Sequence, residues 1–210
     1  MTQASRKAVV WVWAIFFAGL VLGPVIWVSA LIRSLNRSRA VELPHLGQVR
    51  AFEFRDQQGR PFTSQFLKGK IWVADFVFTR CAGPCPTMSS KMAELQKSLA
   101  HVSDVAMVSF SVDPEHDDPQ VLAAYGKRYG AQIGRWFLLT GSQERLFKLM
   151  REDFKLGAEP AGADPVQNPI LHDAHFVLVD EEGQIRGYYA SDPKDPVPQI
   201  VEDIAKLQRR

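Results

Sequence analysis

Apolar residues are distributed along the chain in two ways: one long unbroken run near the amino terminus, and short periodic blocks after it. Residues 8–32 carry no ionisable side chain. At about 1.5 Å per residue such a helix is about 37 Å long, which exceeds a hydrocarbon core of about 30 Å. The run therefore predicts a transmembrane anchor over residues 8–32. A cleaved signal peptide is the alternative, with Val28-Ser29-Ala30 as cleavage site, but its apolar stretch is usually only about 7 to 15 residues long.

Residues 33–47 are polar and basic without a clear period, which predicts a tether between the anchor and a folded domain at residues 48–210. Charges on the two sides of the anchor are balanced, with Arg6 and Lys7 before it and three arginines between residues 33 and 39. The positive-inside rule therefore does not orient the anchor.

Within residues 48–210, blocks with the periods of strands and helices alternate, which predicts a parallel or mixed α/β sheet. The first block is a hairpin with its turn at Gly59, and the last is a helix that follows a second hairpin. Residues 155–169 are rich in glycine, alanine and proline and predict a long loop. The predicted strands are 52–54, 61–63, 71–78, 105–112, 136–139, 174–179 and 184–189, and the predicted helices are a segment beginning past Cys85 and the segments 119–129, one capped by Ser142, and 196–207.

Charge excludes one class of partner. The chain has 25 Lys and Arg against 23 Asp and Glu, a formal net charge of +2, and these residues are interspersed without a basic stripe. Nucleic-acid binding is therefore not expected.

The two cysteines of the chain, Cys81 and Cys85, lie in the turn between a predicted strand and a predicted helix. A disulfide this short closes a very small loop and stabilises the fold little, so the pair is expected to act chemically. A helix amino terminus at Cys85 and the charge of Arg80 predict that both sulfurs are unusually anionic. The pair thus suits either binding of a soft metal ion or thiol–disulfide exchange.

Two thiolates favour a soft ion such as Cu(I), and imidazole is a compatible third donor. Of the five histidines, His45 and His101 are expected at the surface, and His116 follows a strand end. His172 and His175 lie three residues apart at the entry to a strand, and His172 follows the long loop, from which its side chain can reach the cysteines. A zinc site with two Cys and two His is the competing interpretation, but the spacing does not fit a zinc finger.

Several of these segments resemble the Sco/SenC family. They are DFVFTRCAGPCPTMSSKM (75–92), SFSVDPE (109–115), WFLLTG (136–141) and His172 eight residues before Asp180. The resemblance implies a thioredoxin-like fold with an added amino-terminal hairpin, residues 1–7 in the cytoplasm, a single-pass anchor in the inner membrane, and a domain facing the periplasm. It also implies copper, as Cu(I) or Cu(II), held by Cys81, Cys85 and His172, and passed to the dinuclear copper site of cytochrome c oxidase. Leu171-His172-Asp173 replaces an Asp-His-Ser of many members, so His175 remains an alternative donor.

Two functions follow as hypotheses. The first is a copper-binding assembly factor that matures a cytochrome c oxidase subunit. The second is a thiol–disulfide oxidoreductase in which Cys81 and Cys85 form the redox pair and act on cysteines of a partner. A distal imidazole is needed for a three-coordinate copper site and not for dithiol exchange, so His172 favours the copper hypothesis.

Overall fold

The computed structural model describes residues 23, 27, 42–156, 158–159, 170–171 and 174–209, the two residue pairs 158–159 and 170–171 by their backbone alone. Apart from residues 23 and 27, the predicted anchor at 8–32 lies outside the described residues, as do residues 1–7 and most of the tether. No helix within the described part of the chain is long and apolar enough to span a membrane.

Residues Leu43–Arg210 form one compact unit around an eight-stranded mixed sheet in the order β1-β10-β9-β4-β5-β6-β2-β3. Its strands are β1 (Gly47–Gln48), β2 (Glu53–Asp56), β3 (Pro61–Thr63), β4 (Ile71–Val77), β5 (Val105–Ser111), β6 (Trp136–Thr140), β9 (His175–Val179) and β10 (Gln184–Ala190). The helices are α1 (Cys85–Ser98), α2 (Pro119–Tyr129), α3 (Gln143–Lys148) and α4 (Val197–Leu207), with a 3-10 turn at Ser64–Leu67 and a π-helical turn at Leu149–Asp153.

The centre of the sheet is formed by β4 and β5, which are parallel and in which every residue is buried. This explains their nearly continuous apolar sequences, because a strand covered on both faces needs no polar alternation. β9 runs antiparallel to β4 on its other side, and β10 is antiparallel to β9. The order β10-β9-β4-β5, with helices following β4, β5 and β10, is the thioredoxin-like arrangement.

Alternate residues of the central strands separate two hydrophobic cores. On one face, Ile71 and Val73 pack with residues of α1, α2 and α4. On the other face, Trp72, Ala74 and Phe76 pack with α3, the π-helical turn and the β2–β3 hairpin. Cys85 belongs to this second core although it begins helix α1. The cysteine turn therefore lies at the end of the sheet where the two cores meet.

The predicted amino-terminal hairpin is confirmed, since β2 and β3 pair antiparallel with Phe54 opposite Phe62. Its turn is held by Asp56, whose carboxylate accepts the backbone N–H groups of Gln58 and Arg60, each at 2.9 Å. Gly59 occupies the left-handed region there, with φ of 76°, where a side chain would be strained.

Two segments differ from the prediction. The folded unit begins at Leu43 and not at residue 48, because Leu43 is buried and its carbonyl accepts a hydrogen bond from the buried Arg186. The predicted loop at 155–169 contains strand β7 (Ala158–Glu159), which pairs antiparallel with β8 (Ile170–Leu171). Strands of two residues are too short to give a period in the sequence, so they could not be recognised there.

Candidate metal and thiol site

The two cysteines meet in the connection from β4 to α1. β4 ends at Val77 and α1 begins at Cys85, and the loop between them turns back where the N–H of Cys81 bonds to the carbonyl of Phe78 at 3.2 Å. Both cysteines are free thiols; Cys81 is half-buried and Cys85 is fully buried. The Cys81 side chain lies close enough to Cys85 to raise the pKa of its thiol. The two cysteines therefore share one loop of the folded unit, and Cys81 is the more accessible of the two.

The prediction that both sulfurs are unusually anionic is wrong for Cys85. Burial raises the pKa of the Cys85 thiol, and the neighbouring Cys81 and Asp75 side chains raise it further. A backbone hydrogen bond from Phe78 opposes these effects without outweighing them. Burial in an apolar core disfavours a charged sulfur more than a helix terminus favours it. Cys85 is therefore a protonated thiol at neutral pH.

Asp75 is a buried carboxyl group that sequence reasoning left out of the site. It lies in the middle of β4, is completely buried, and contributes to the raised pKa of Cys85. Burial raises the pKa of Asp75 to about 7. Ser109 lies close enough to moderate this pKa, but no hydrogen bond of normal geometry reaches either carboxylate oxygen from the described residues. The signal in the sequence was an acidic residue within an otherwise apolar strand.

Arg80 makes a second polar cluster next to Cys81. Its guanidinium contacts the Asp113 carboxylate at 2.7 Å, and the same carboxylate contacts His116 Nδ1 at 2.8 Å. Burial raises the pKa of Asp113, but these two partners together bring it below the ordinary value. The positive charge of Arg80 is thus directed to Asp113, which explains why it does not lower the pKa of Cys85 as the sequence suggested.

β9 brings a histidine to the same end of the sheet. β9 is antiparallel to β4, with Ala74 opposite Val177, so β9 begins near the end of β4 from which the cysteine loop leaves. His175 is its first residue. His175 shares a face of the strand with Val177, which packs in the core that contains Cys85.

His172 lies outside the described residues. No group of three or more His, Cys, Asp or Glu side chains suited to a metal ion occurs among the residues the structure does describe. Among the described residues, Cys81 and Cys85 are the two candidate sulfur ligands. A third donor has to come from outside this pair.

A family model described as SCO1/SenC matches residues 44–209. The chain belongs to the SCO1/SenC family. This confirms the resemblance drawn from the cysteine turn and the Asp-Pro-Glu segment. The match covers nearly all of the folded unit, so the thioredoxin-like fold and the cysteine turn belong to one family domain.

Three solved structures of relatives support the assignment. A SCO1/SenC family lipoprotein from Bacillus anthracis is 35% identical, with a TM-score of 0.70 over 77% of this chain and 95% of that one. BsSco, described with a disulfide switch and as a member of the Sco family of cytochrome c oxidase assembly proteins, is 32% identical, with a TM-score of 0.69 over 79% and 97%. Yeast Sco1 with copper bound is 26% identical, with a TM-score of 0.60 over 77% and 90%.

Proposed function

We propose that this chain is a membrane-anchored copper-binding protein that delivers copper to, or helps mature, the dinuclear copper site of cytochrome c oxidase. The observation that carries the proposal is the placement of two free thiols in one loop, one half-buried and one buried, in a chain whose relative, yeast Sco1, has been solved with copper bound. BsSco is described as a member of a family of oxidase assembly proteins, which supports the choice of recipient.

The donor set fits copper. Cys81 and Cys85 supply two adjacent soft sulfur ligands, and His172 is proposed as the imidazole donor that completes three-coordination of Cu(I). In the sequence His172 directly follows β8 and precedes β9 by three residues, and β9 begins at the end of the sheet where the cysteine loop lies. Bound copper would replace the thiol proton of Cys85, which a buried thiol otherwise keeps.

His175 is the alternative imidazole donor. It lies on the face of β9 that also carries Val177, on the same side of the sheet as Cys85. The two histidines can be distinguished only by changing each in turn, because they are close in the chain and chemically equivalent.

The anchor is proposed to be the apolar segment 8–32, which would hold the domain on the periplasmic side of the inner membrane. The relative from Bacillus anthracis is a lipoprotein, and bacterial lipoproteins carry their lipid on a cysteine. Both cysteines of this chain lie in the thiol site. A lipid on cysteine would therefore remove a copper donor, which favours a peptide anchor.

Thiol–disulfide exchange is the second candidate function. It is favoured by the unequal exposure of the pair, because the half-buried Cys81 can meet a partner sulfur while the buried Cys85 can displace it. The disulfide switch described for BsSco supports the same chemistry. The partner would be the reduced or oxidised cysteine pair of a copper-receiving protein.

Anaerobic Cu(I) titration of the full chain, purified in detergent and reduced, tests the copper proposal. We expect one tightly held ion per chain, measured by competition with a Cu(I) chelator. Cys81→Ser and Cys85→Ser should each abolish tight binding, His172→Ala should weaken it, and His175→Ala should leave it nearly unchanged. His101→Ala is the matched control, since His101 is exposed at the end of α1.

The outcomes separate the alternatives. If tight Cu(I) binding is lost in His175→Ala but kept in His172→Ala, the imidazole donor is His175. Tight binding that survives both histidine changes would contradict three-coordination by imidazole and favour the exchange function. Deletion of the gene followed by an oxidase assay, with and without added copper, tests the recipient: activity unaffected in both media would refute it.

A further inference from the structure

Thr79, two residues before Cys81, is held by a buried acidic side chain from a different part of the chain. Asp117 is completely buried, and one of its carboxylate oxygens accepts the Thr79 hydroxyl at 2.5 Å. The backbone N–H of Thr79 points to the same carboxylate, at 3.2 and 3.4 Å. Short O–H···O contacts of this kind are typical of hydrogen bonds to carboxylates.

The carboxylate is itself fixed by Ser111 at the end of β5. The Ser111 hydroxyl donates to the second oxygen of Asp117 at 2.5 Å, and accepts the backbone N–H of Asp113 at 3.1 Å. The rigid end of a central strand thus sets the position of Asp117. Thr79 is in turn fixed relative to that strand.

A second contact acts on the next residue. Arg80 is held by Asp113 at 2.7 Å, so residues 79 and 80 are both bound by acidic residues of the loop 112–118. Arg80 is 45% exposed in its side chain, and an exposed ion pair contributes little. Thr79 is half-buried and Asp117 is completely buried, so their contact is less exposed to solvent than the ion pair of Arg80 and is the stronger constraint on the segment that enters Cys81.

We propose that Asp117 is a positioning residue, which holds Thr79 and through it Cys81 at the separation from Cys85 that copper binding and disulfide closure both require. The copper part of this inference rests on the proposed function; the disulfide part does not. Loss of the contact would leave the cysteine loop attached on the Cys85 side, through α1, while the Cys81 side could move. Outer contacts that orient metal ligands typically contribute about 10- to 100-fold to metal affinity.

Thr79 provides the sharpest test, because its two close analogues separate the hydroxyl from the side-chain volume. Thr79→Val keeps the shape and removes the donor to Asp117, whereas Thr79→Ser keeps the donor. We expect Thr79→Val to weaken Cu(I) binding by about tenfold, and Thr79→Ser to bind as the unmodified chain does. Asp117→Asn keeps one acceptor oxygen in place of two, so it cannot accept from both Thr79 and Ser111, and it should also weaken binding.

The same variants are compared in thiol–disulfide exchange with glutathione, which needs no copper. In this reaction the Cys81–Cys85 disulfide takes two electrons from two glutathione thiols, giving two protein thiols and one glutathione disulfide. A looser loop lowers the effective concentration of one thiol near the other and so destabilises the disulfide. The Thr79→Val disulfide should therefore be half reduced in a glutathione buffer that is about tenfold less reducing than the unmodified chain requires. The proportions of dithiol and disulfide are measured by thiol alkylation and mass spectrometry, on the full chain in detergent.

Ser142→Ala is the control for a purely structural effect. Ser142 caps α3, away from the cysteine turn, by accepting the N–H of Arg145 at 3.3 Å, and its loss lowers stability without touching the loop. If this control shifts copper affinity and exchange as much as Thr79→Val does, or if Thr79→Val matches Thr79→Ser in both, the positioning role is refuted. If the unmodified chain binds no Cu(I) but Thr79→Val still shifts the exchange equilibrium, the copper function fails and the positioning role stands.

Discussion

Asp75 should make the folded domain less stable as the pH rises from about 4 to about 7. Burial raises the pKa of this carboxyl group from 3.8 to about 7 in the folded state, whereas in the unfolded chain it keeps its ordinary value. Below both values the group is protonated in both states and has no effect. Between them only the unfolded state is ionised, so the unfolded state binds fewer protons and stability falls as the pH increases.

The size of this loss of stability follows from the difference between the pKa values of Asp75 in the folded and unfolded states. Each tenfold change in proton affinity corresponds to about 1.4 kcal/mol, so moving the pKa from 3.8 to about 7 destabilises the fold by about 4 kcal/mol above pH 7. Asp75 is completely buried, so solvent does not screen the effect as it would at the surface. This is a large part of the total stability of a domain, which is typically about 5 to 15 kcal/mol.

Asp75→Asn removes the titration and keeps the shape of the side chain. We expect the difference in unfolding free energy between Asp75→Asn and the unmodified domain to change by about 4 kcal/mol in favour of the variant between pH 4 and pH 8. The measurement is urea unfolding of reduced residues 42–210, which contain both cores, at four pH values across this range. Taking the difference removes the other titrating groups, as well as any pH-independent penalty for burying the amide.

Asp104→Asn is the matched control, since Asp104 is an exposed aspartate directly before β5. The Asp75→Asn result is compared with this control at each pH. The reasoning is refuted if the Asp75→Asn difference also stays constant to within about 1 kcal/mol, which would correspond to less than one tenfold change in proton affinity. It is equally refuted if the variant loses stability relative to the unmodified domain as the pH rises.

Three further substitutions test the packing around the site, each measured as the change in unfolding free energy in urea. Phe110→Ala should destabilise the domain by about 3 to 5 kcal/mol, because this ring is fully buried and contacts Phe54 at a centroid distance of 5.9 Å, among other aromatic rings; a loss below 1 kcal/mol would contradict the packing. Gly141→Ala should destabilise by about 1 to 3 kcal/mol, since the added Cβ would lie 2.6 Å from the Phe54 ring; an unchanged midpoint would show that the ring moves freely. Ser142→Ala should lose about 1 kcal/mol, and Ser142→Asn should recover most of it because Asn is also a good cap; equal losses in both would mean that the cap hydrogen bond does not matter.

The sequence was sufficient where the local pattern is strong. Helix α2 was predicted at residues 119–129 and occupies Pro119–Tyr129, because a proline at its first turn and a periodic apolar stripe mark it clearly. Strand β4 ends one residue earlier than predicted, at Val77. Its mostly apolar sequence indicated a strand covered on both faces, which the structure confirms.

The site could be predicted only in part. The cysteine turn was found because both sulfurs lie in one short segment between a strand and a helix. The contact between Thr79 and Asp117 joins residues 38 positions apart, and nothing in the local sequence pairs them. Asp117 lies among three other acidic residues between positions 113 and 118, and only the fold shows that this one is completely buried while Asp118 caps α2.

The error over the charge of Cys85 has the same origin. A helix terminus and a neighbouring arginine were both identified correctly, and each alone would favour a thiolate. The sequence does not show which acidic group pairs with Arg80, and in the folded domain its guanidinium forms an ion pair with Asp113. The sequence also does not show how deeply the Cys85 side chain is buried: Cys85 begins α1, but it packs in the same hydrophobic core as Phe78. Because desolvation acts on the whole charge whereas a helix terminus offers only a fraction of one, burial determines the protonation state. A cysteine at the start of a helix is therefore expected to be anionic only where its sulfur stays near solvent.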